Sequence, residues 1–256
     1  MIKSVHRGVQ VLGCFRPHLP RLRLKDIADQ LGIPMGSAFR TVRTLEALGY
    51  VVQDPITKQY RLGLKVLDLG LTCLVGMEFP DVALPFLEEL AAQTRLSANM
   101  AVLDGTEIVF VARASVVRLM RSNLSVGSRL PSHCTAMGKV LLAQLDPAEA
   151  RTRLQGSPLP GFTANTITDL DVLLATLREI RSVGFAVSHE ELELHLTAVA
   201  APVLDATGRA VAAINVAMYT GPGEDESSVR AVLPKLILAG AAVSAALGYR
   251  PGGATG

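Results

Sequence analysis

Leu24-Lys25-Asp26-Ile27-Ala28-Asp29-Gln30-Leu31-Gly32-Ile33-Pro34-Met35-Gly36-Ser37-Ala38-Phe39-Arg40-Thr41-Val42-Arg43-Thr44-Leu45 is the stretch whose reading decides the fold. Leu24, Ile27, Ala28 and Leu31 recur at helical spacing, and Gly32 ends that run. Pro34 then opens a second helix that reaches Leu48, with Gly49 just beyond it, which is the usual asymmetry of helix boundaries. Two helices joined through Leu31-Gly32-Ile33-Pro34 are the sequence form of a helix-turn-helix. Upstream, Val5, Val9, Leu12 and Phe15 mark one more helix, stopped by Pro17 and Pro20. Downstream the period switches to two in Tyr50-Val51-Val52, turns at Asp54-Pro55 and returns in Gln59-Tyr60-Arg61-Leu62, a hairpin or wing. Residues 1–63 therefore read as a winged helix-turn-helix domain.

The whole chain has 256 residues, 49% hydrophobic and 19% charged, enough apolar material for a packed core, which excludes wholesale disorder. Its net charge of +2 hides an asymmetry. Residues 1–65 hold 11 Lys/Arg against 4 Asp/Glu, a net of +7, and the remainder holds 14 against 19, a net of −5. A basic head on an acidic body suits a nucleic-acid reader attached to a different kind of module. Cys14, Cys73 and Cys134 form no CxxC pair and no disulfide framework, which fits a reducing cytoplasm. The N-terminus reads as an amphipathic helix and not as a signal peptide. The longest apolar stretch, Leu236 to Leu247, is about half of the ~20 residues a membrane span needs, so a soluble protein with no membrane partner is expected.

Beyond the head, Leu64, Leu67, Leu71 and Leu74 mark a linker helix within residues 64–78. Residues 79–249 read as the body, and residues 250–256 as a flexible Gly/Pro tail. The body opens with a helix near 81–94 and then alternates. Strands are expected at 98–103 and 108–113, joined by Asp104-Gly105, and at 118–122. Helices are expected near 135–144, 147–154 and 170–183, followed by a strand at 185–188. A hairpin spans 199–204 and 210–218, and a last helix 225–247. Strands and helices in such runs indicate an α+β domain, an antiparallel sheet covered by helices.

On the third helix of the head, Ser37, Arg40, Thr41 and Thr44 share a face beside the apolar stripe of Ala38, Val42 and Leu45. Hydroxyls bond phosphates or base edges, and arginine forks onto guanine. Met35 and Gly36, in the first turn, would lie nearest a DNA groove. Lys3, Arg7, Arg23 and Lys25 on the flanks and Lys58 and Arg61 on the wing are placed to meet phosphates of a double-stranded DNA operator.

The segments Ile27 to Pro34, Leu45 to Val51 and Tyr60 to Gly63 resemble the head of IclR-type bacterial transcriptional regulators. Leu130-Pro131-Ser132-His133-Cys134-Thr135-Ala136-Met137-Gly138-Lys139-Val140-Leu141-Leu142-Ala143, Ile180 to Val187 and Ala200-Ala201-Pro202-Val203 are similar to that family's effector domain. The likeness runs from Ser4 to about Leu247. The head departs from the family where Met35 and Gly36 stand in place of Lys and Ser, so a family operator sequence does not carry over. Gly36 costs a helix ~1 kcal/mol relative to Ala.

The resemblance implies a GAF-like body with a cavity for a small-molecule carboxylic acid. Its lining would fall at Leu119 and Ser122, at Leu130, at Ala136 and Met137 on a helix N-terminus, and at Ser188, Ala198, Asn215 and Ala217. First-turn amides carry partial positive charge and suit a carboxylate. Many relatives carry two acidic residues where this chain has Ser188-His189, which leaves His189 as either a ligand contact or a surface residue. Arg118-Leu119-Met120, Asn123, Glu191 to Leu194 and Ala213-Ile214-Asn215 look most like the subgroup that controls aromatic-acid catabolism by the β-ketoadipate route, implying an aromatic or dicarboxylic acid. The three- and four-residue spacing of Leu64, Leu67, Leu71 and Leu74 suits a linker helix that pairs two heads in a homodimer, and the resemblance further implies a dimer of dimers.

Three rival classes compete. An enzyme built on His133-Cys134 lacks a third orienting group, so no catalytic residue and no cofactor are expected. A redox- or metal-responsive regulator using Cys134 with His133, His189 and His195 matches no metal-ligand spacing. A ligand-insensitive architectural DNA binder is at odds with the size of the body.

Overall fold

A computed structural model of the chain describes residues 1–16, 18–115, 124–220 and 225–251. The chain divides into two compact units, Met1–Met77 and Glu78–Gly256.

In the first unit, α1 (Lys3–Gly13), α2 (Leu24–Leu31) and α3 (Met35–Ala47) surround a small apolar core of Val11, Phe15, Leu22, Ile27, Val42, Leu45, Val51 and Tyr60. α2 begins where the Asp26 carboxylate accepts the Arg23 amide (2.8 Å), and it ends at Gly32, whose φ of +60° closes the last turn in the left-handed region. Pro34 then starts α3, so the turn between the two helices is fixed by one residue that tolerates positive φ and one whose φ is preset.

The wing, β1 (Val51–Gln53) and β2 (Tyr60–Leu62), pairs antiparallel with Val51 opposite Leu62. Tyr60 exchanges both backbone hydrogen bonds with Leu22 (3.0 and 2.7 Å), tying the wing to the approach to α2. A Cβ on Gly63 would sit 2.2 Å from the Gly49 carbonyl oxygen, so only glycine lets the strand return against the end of α3. α4 (Lys65–Val75) follows, pinned by the Lys65 ammonium, which donates to the Leu48 carbonyl (3.1 Å) and lies over the Tyr50 ring.

The second unit comprises α5 (Phe79–Thr94), β3 (Ala98–Asp104), β4 (Glu107–Ala114), β5 (Arg129–Pro131), α6 (Ala136–Gln144), α7 (Pro147–Leu154), α8 (Leu170–Val183), β6 (Ala186–His189), β7 (Leu196–Leu204), β8 (Ala210–Tyr219) and α9 (Asp225–Ala246). Among the described residues its six strands form one antiparallel sheet in the order β5-β4-β3-β8-β7-β6, giving the α+β architecture. α6 lies across one face and, with α7 and α8, closes a core that includes Ile108, Phe110, Met137, Val140 and Leu173. α5 and α9 cover the opposite face.

Four details of the second unit go beyond or differ from the sequence expectations. The first hairpin turns on Gly105-Thr106 and not on Asp104-Gly105, because Asp104 still pairs with Glu107 and Gly105 takes the positive φ at the first turn position. β5, three residues ending in proline, is too short to show a period of two. β7 starts at Leu196, ahead of the expected 199. α9 runs 22 residues and is long and apolar enough to cross a membrane by length and composition, unlike the shorter stretch read from the sequence. It instead packs on β7, burying Val232, Leu236 and Val243. The strand expected at 118–122 lies outside the described residues.

Candidate functional site

Two groups of residues are candidates for function, one in each unit. On α3 the buried stripe is Ala38, Val42 and Leu45, and opposite it Gly36, Arg40, Arg43 and Thr44 are exposed. The polar face read from the sequence is divided by its surroundings. Ser37 and Thr41 are half-buried and, with Arg40 and Thr44, form one wall of a groove. α1 contributes Val5, Arg7, Val9 and Leu12 to that groove. The Thr41 and Thr44 hydroxyls donate to the carbonyls of Ser37 (3.0 Å) and Arg40 (2.9 Å), so what they present outward is acceptor lone pairs and methyl groups. Met35 is exposed, as is Phe39, which sequence reasoning passed over because it expected polar residues. Arg43, also passed over, pairs with Glu46 (2.6 Å).

A Cβ on Gly36 would meet only the Arg40 guanidinium at 3.8 Å, an ordinary contact, so the fold makes no demand for glycine there. Lys3, Arg23, Lys25, Lys58 and Arg61 are exposed and Arg7 is half-buried; none forms an ion pair among the described residues. At the wing tip the Asp54 carboxylate accepts the amides of Ile56 and Thr57 (2.9 Å each), which holds its pKa below the ordinary value. The turn leaves Lys58 at φ 57°, with its side chain in solvent.

In the second unit, the polar segment before α6 is fastened on every side. Ser132 donates its amide (3.0 Å) and hydroxyl (2.8 Å) to the Thr106 carbonyl. The His133 Nε2 meets the Pro160 carbonyl (3.0 Å), and the Thr135 hydroxyl donates to Pro131 (2.9 Å) while accepting the Gly138 amide (3.2 Å). Gly138 packs so closely that a Cβ there would fall 2.2 Å from the Ser132 carbonyl oxygen. The Ser188 hydroxyl reaches the Cys134 carbonyl (3.2 Å) from β6. One turn further along α6, the buried Lys139 ammonium bonds the Val187 carbonyl (3.1 Å) and pairs with the buried Glu191 carboxylate. Thr135 caps α6, and the amides of Ala136 and Met137, first in the helix, have no acceptor within it.

These straps hold the α6 N-terminus over a cavity between the helix and the sheet, with about 70 Å³ open to water, where one water needs about 10–15 Å³. Leu130, Ala136, Met137, Ser188, Ala198, Asn215 and Ala217, seven of the nine residues expected to line it, come together there. The remaining two, Leu119 and Ser122, lie outside the described residues. The sequence reading missed Asn99, Ile108, Phe110, Leu124, Cys134, Thr135, Leu192 and Leu196. Asn99 carried the signal that flagged Asn215, an asparagine inside an apolar strand run. Across paired strands its amide donates to the Asn215 side-chain oxygen (2.9 Å). His189 is exposed and takes no part in the lining.

The redox and metal alternative finds no support. Burial, with the Glu191 charge nearby, pushes the Cys134 thiol up to about 12, so it is protonated and unreactive at neutral pH. Among the described residues no three His, Cys, Asp or Glu side chains gather as metal ligands.

Comparison with known proteins covers both units. Residues 4–55 match the model of the IclR helix-turn-helix domain, and residues 71–245 match that of the bacterial transcriptional regulator IclR C-terminal domain. The chain is 36% identical over 237 residues to the Pca regulon regulatory protein of Pseudomonas putida, covering 92% of this chain and 81% of that one. It is 35% identical over 240 residues to the p-hydroxybenzoate hydroxylase transcriptional activator of Acinetobacter baylyi, covering 92% and 88%. Among solved structures it resembles an IclR homolog from Microbacterium hydrocarbonoxydans complexed with 4-hydroxybenzoate. There the TM-score is 0.80 and the identity 26%, over 95% of this chain and 98% of that one.

Proposed function

The chain belongs to the IclR family of bacterial transcriptional regulators, and from that premise we propose a division of labour between its two units. The protein is a DNA-binding regulator. Its α3 enters the major groove of an operator through Met35, Gly36, Ser37, Arg40, Thr41 and Thr44, with Arg40 as the side chain long enough to fork onto a base edge. Gly36, which the free fold does not require, admits the backbone close to DNA. Lys3, Arg7, Arg23, Lys25, Lys58 and Arg61 meet phosphates and hold the register.

The effector is an aromatic carboxylic acid bound in the cavity of the second unit. The single observation that carries this reading is that cavity's composition: described lining that is apolar apart from hydroxyls, a thiol and two asparagines, beneath the first amides of α6, which have no acceptor within the helix. Amides at a helix N-terminus suit a carboxylate, and Ile108, Phe110 and Met137 suit a ring. The p-hydroxybenzoate regulator and the 4-hydroxybenzoate complex among the relatives point to the same ligand class.

α4 supports pairing of two copies. It buries none of its residues, and Leu64, Leu67, Leu69, Leu71 and Val75 are all exposed, an apolar surface that a second α4 would cover. Two paired heads present two α3 helices to successive major grooves, and a dimer of dimers extends the arrangement. The effector changes operator affinity only through unequal affinity for the two arrangements of the heads. The site of action is the cytoplasm, where the operator DNA is.

Two substitutions test the division. Arg40→Ala is expected to weaken operator binding in a gel-shift assay by about 5- to 150-fold, the loss of one bidentate base contact, with effector affinity unchanged in calorimetry. Asn215→Ala is expected to do the reverse. An Arg40→Ala protein that shifts promoter DNA like the parent, or an Asn215→Ala protein with full effector affinity, overturns the corresponding half.

A further inference from the structure

The cavity holds one feature that a plain aromatic acid leaves unanswered. Asn99 is 6% exposed and faces the cavity from β3, in register with Asn215 on β8. Its amino group is spent on the Asn215 oxygen, while its own carbonyl oxygen is buried with no hydrogen-bond partner among the described residues. A buried acceptor left unpaired costs free energy, so a ligand that completes it is favoured over one of equal size that cannot.

Resting on the aromatic-acid reading above, we infer that Asn99 selects the effector's ring substituent, and that the cognate ligand is a hydroxylated aromatic acid whose hydroxyl donates to the Asn99 carbonyl. The chemistry of the lining leads there. The α6 amides, being donors, match the carboxylate and not a hydrogen-bond donor, which leaves the amide pair on the sheet for the second polar group. Of the remaining sheet lining, Ile108, Phe110, Ala198 and Ala217 carry no acceptor, and the one other polar side chain among the described sheet residues, Ser188 on β6, is already engaged with the Cys134 carbonyl. A hydroxyl also answers either orientation of the amide pair, since it donates to a carbonyl and accepts from an amino group. A charged group is disfavoured, because no charged side chain lines the cavity among the described residues.

The test is calorimetric titration of the full-length protein with 3-hydroxybenzoate, 4-hydroxybenzoate, benzoate and 4-methylbenzoate, the last filling the hydroxyl's space without a donor. At least one hydroxybenzoate is expected to bind about 5- to 150-fold tighter than both acids lacking the hydroxyl, the range set by one unsatisfied buried polar group. Asn99→Leu is expected to bring that ratio within about twofold while benzoate still binds. The four-acid comparison on the unaltered protein stands without the variant should Asn99→Leu fold poorly. Equal binding of all four acids, or an Asn99→Leu protein that keeps the full preference, overturns the inference and leaves the aromatic-acid reading intact. Binding of none of them overturns both.

Discussion

The two units of this regulator place their polar side chains in opposite ways. Among the described residues, every buried polar or charged side chain, from Asn99 to Ser244, lies in the second unit. The first unit fills its core with aliphatic and aromatic groups and wears its arginines, lysines and hydroxyls on or near the surface. The difference follows from what each must recognise. A DNA duplex is too large to enclose, so its reader needs a rigid apolar wedge with polar groups outside. A small acid can be enclosed, so its receptor must take polar groups inside and hold them in place. The second unit does so with Ser132, His133, Thr135 and Ser188 bonded to backbone carbonyls around the α6 N-terminus.

The sharpest way to break this contrast is at the Lys139–Glu191 pair, an ion pair buried in the second unit. Lys139→Met leaves Glu191 buried without its counter-charge, and chemical denaturation is expected to show a loss of about 3–5 kcal/mol. Lys139→Met combined with Glu191→Leu removes both charges and is expected to recover most of it. A Lys139→Met protein as stable as the parent would mean that the pair is open to water.

A smaller effect is expected in the first unit, where charges act through solvent. Arg61→Ala should leave thermal stability nearly unchanged, within about 0.5 kcal/mol. It should reduce the magnitude of the slope of log operator affinity against log salt concentration by about 1, the signature of one lost phosphate contact. An unchanged slope would remove the wing from the DNA interface.

The smallest expected effect concerns Cys134. With its pKa raised to about 12 by burial, the Cys134 thiol stays protonated at pH 8. Burial raises the pKa of a group whose charged form is the anion, so the native thiol keeps its proton as pH rises past the unfolded value. Iodoacetamide at pH 8 is expected to leave Cys134 unmodified in the native protein by mass spectrometry and to modify it after unfolding. Rapid native labelling would reopen a role for the thiol.

Much of this contrast is legible in the sequence, unevenly. Gly32 and Pro34 mark the turn of the head because only a positive φ and a preset φ close it, and such local demands leave local traces. The cavity was reachable through motif likeness for Leu130, Ala136, Met137, Ser188, Ala198, Asn215 and Ala217. Asn99 was not, although it occupies the same setting as Asn215. Its partner is 116 positions away, and no periodicity reports a cross-strand neighbour. Ser37 and Thr41 show the converse: helical spacing groups them with Arg40, and only the packing of α1 makes them half-buried walls of a groove.

What the chain order alone determined is therefore everything governed by near neighbours: the helices, their caps, the wing, the basic head and the apolar stripes. Tertiary structure decided which polar groups meet across the sheet, that Lys139 and Glu191 share a buried site, that Cys134 is silenced, and that the Asn99 carbonyl is left unanswered. These depend on burial and on contacts between residues far apart in sequence, and the energy of a polar group is set by its surroundings, which the identity of the residue does not specify.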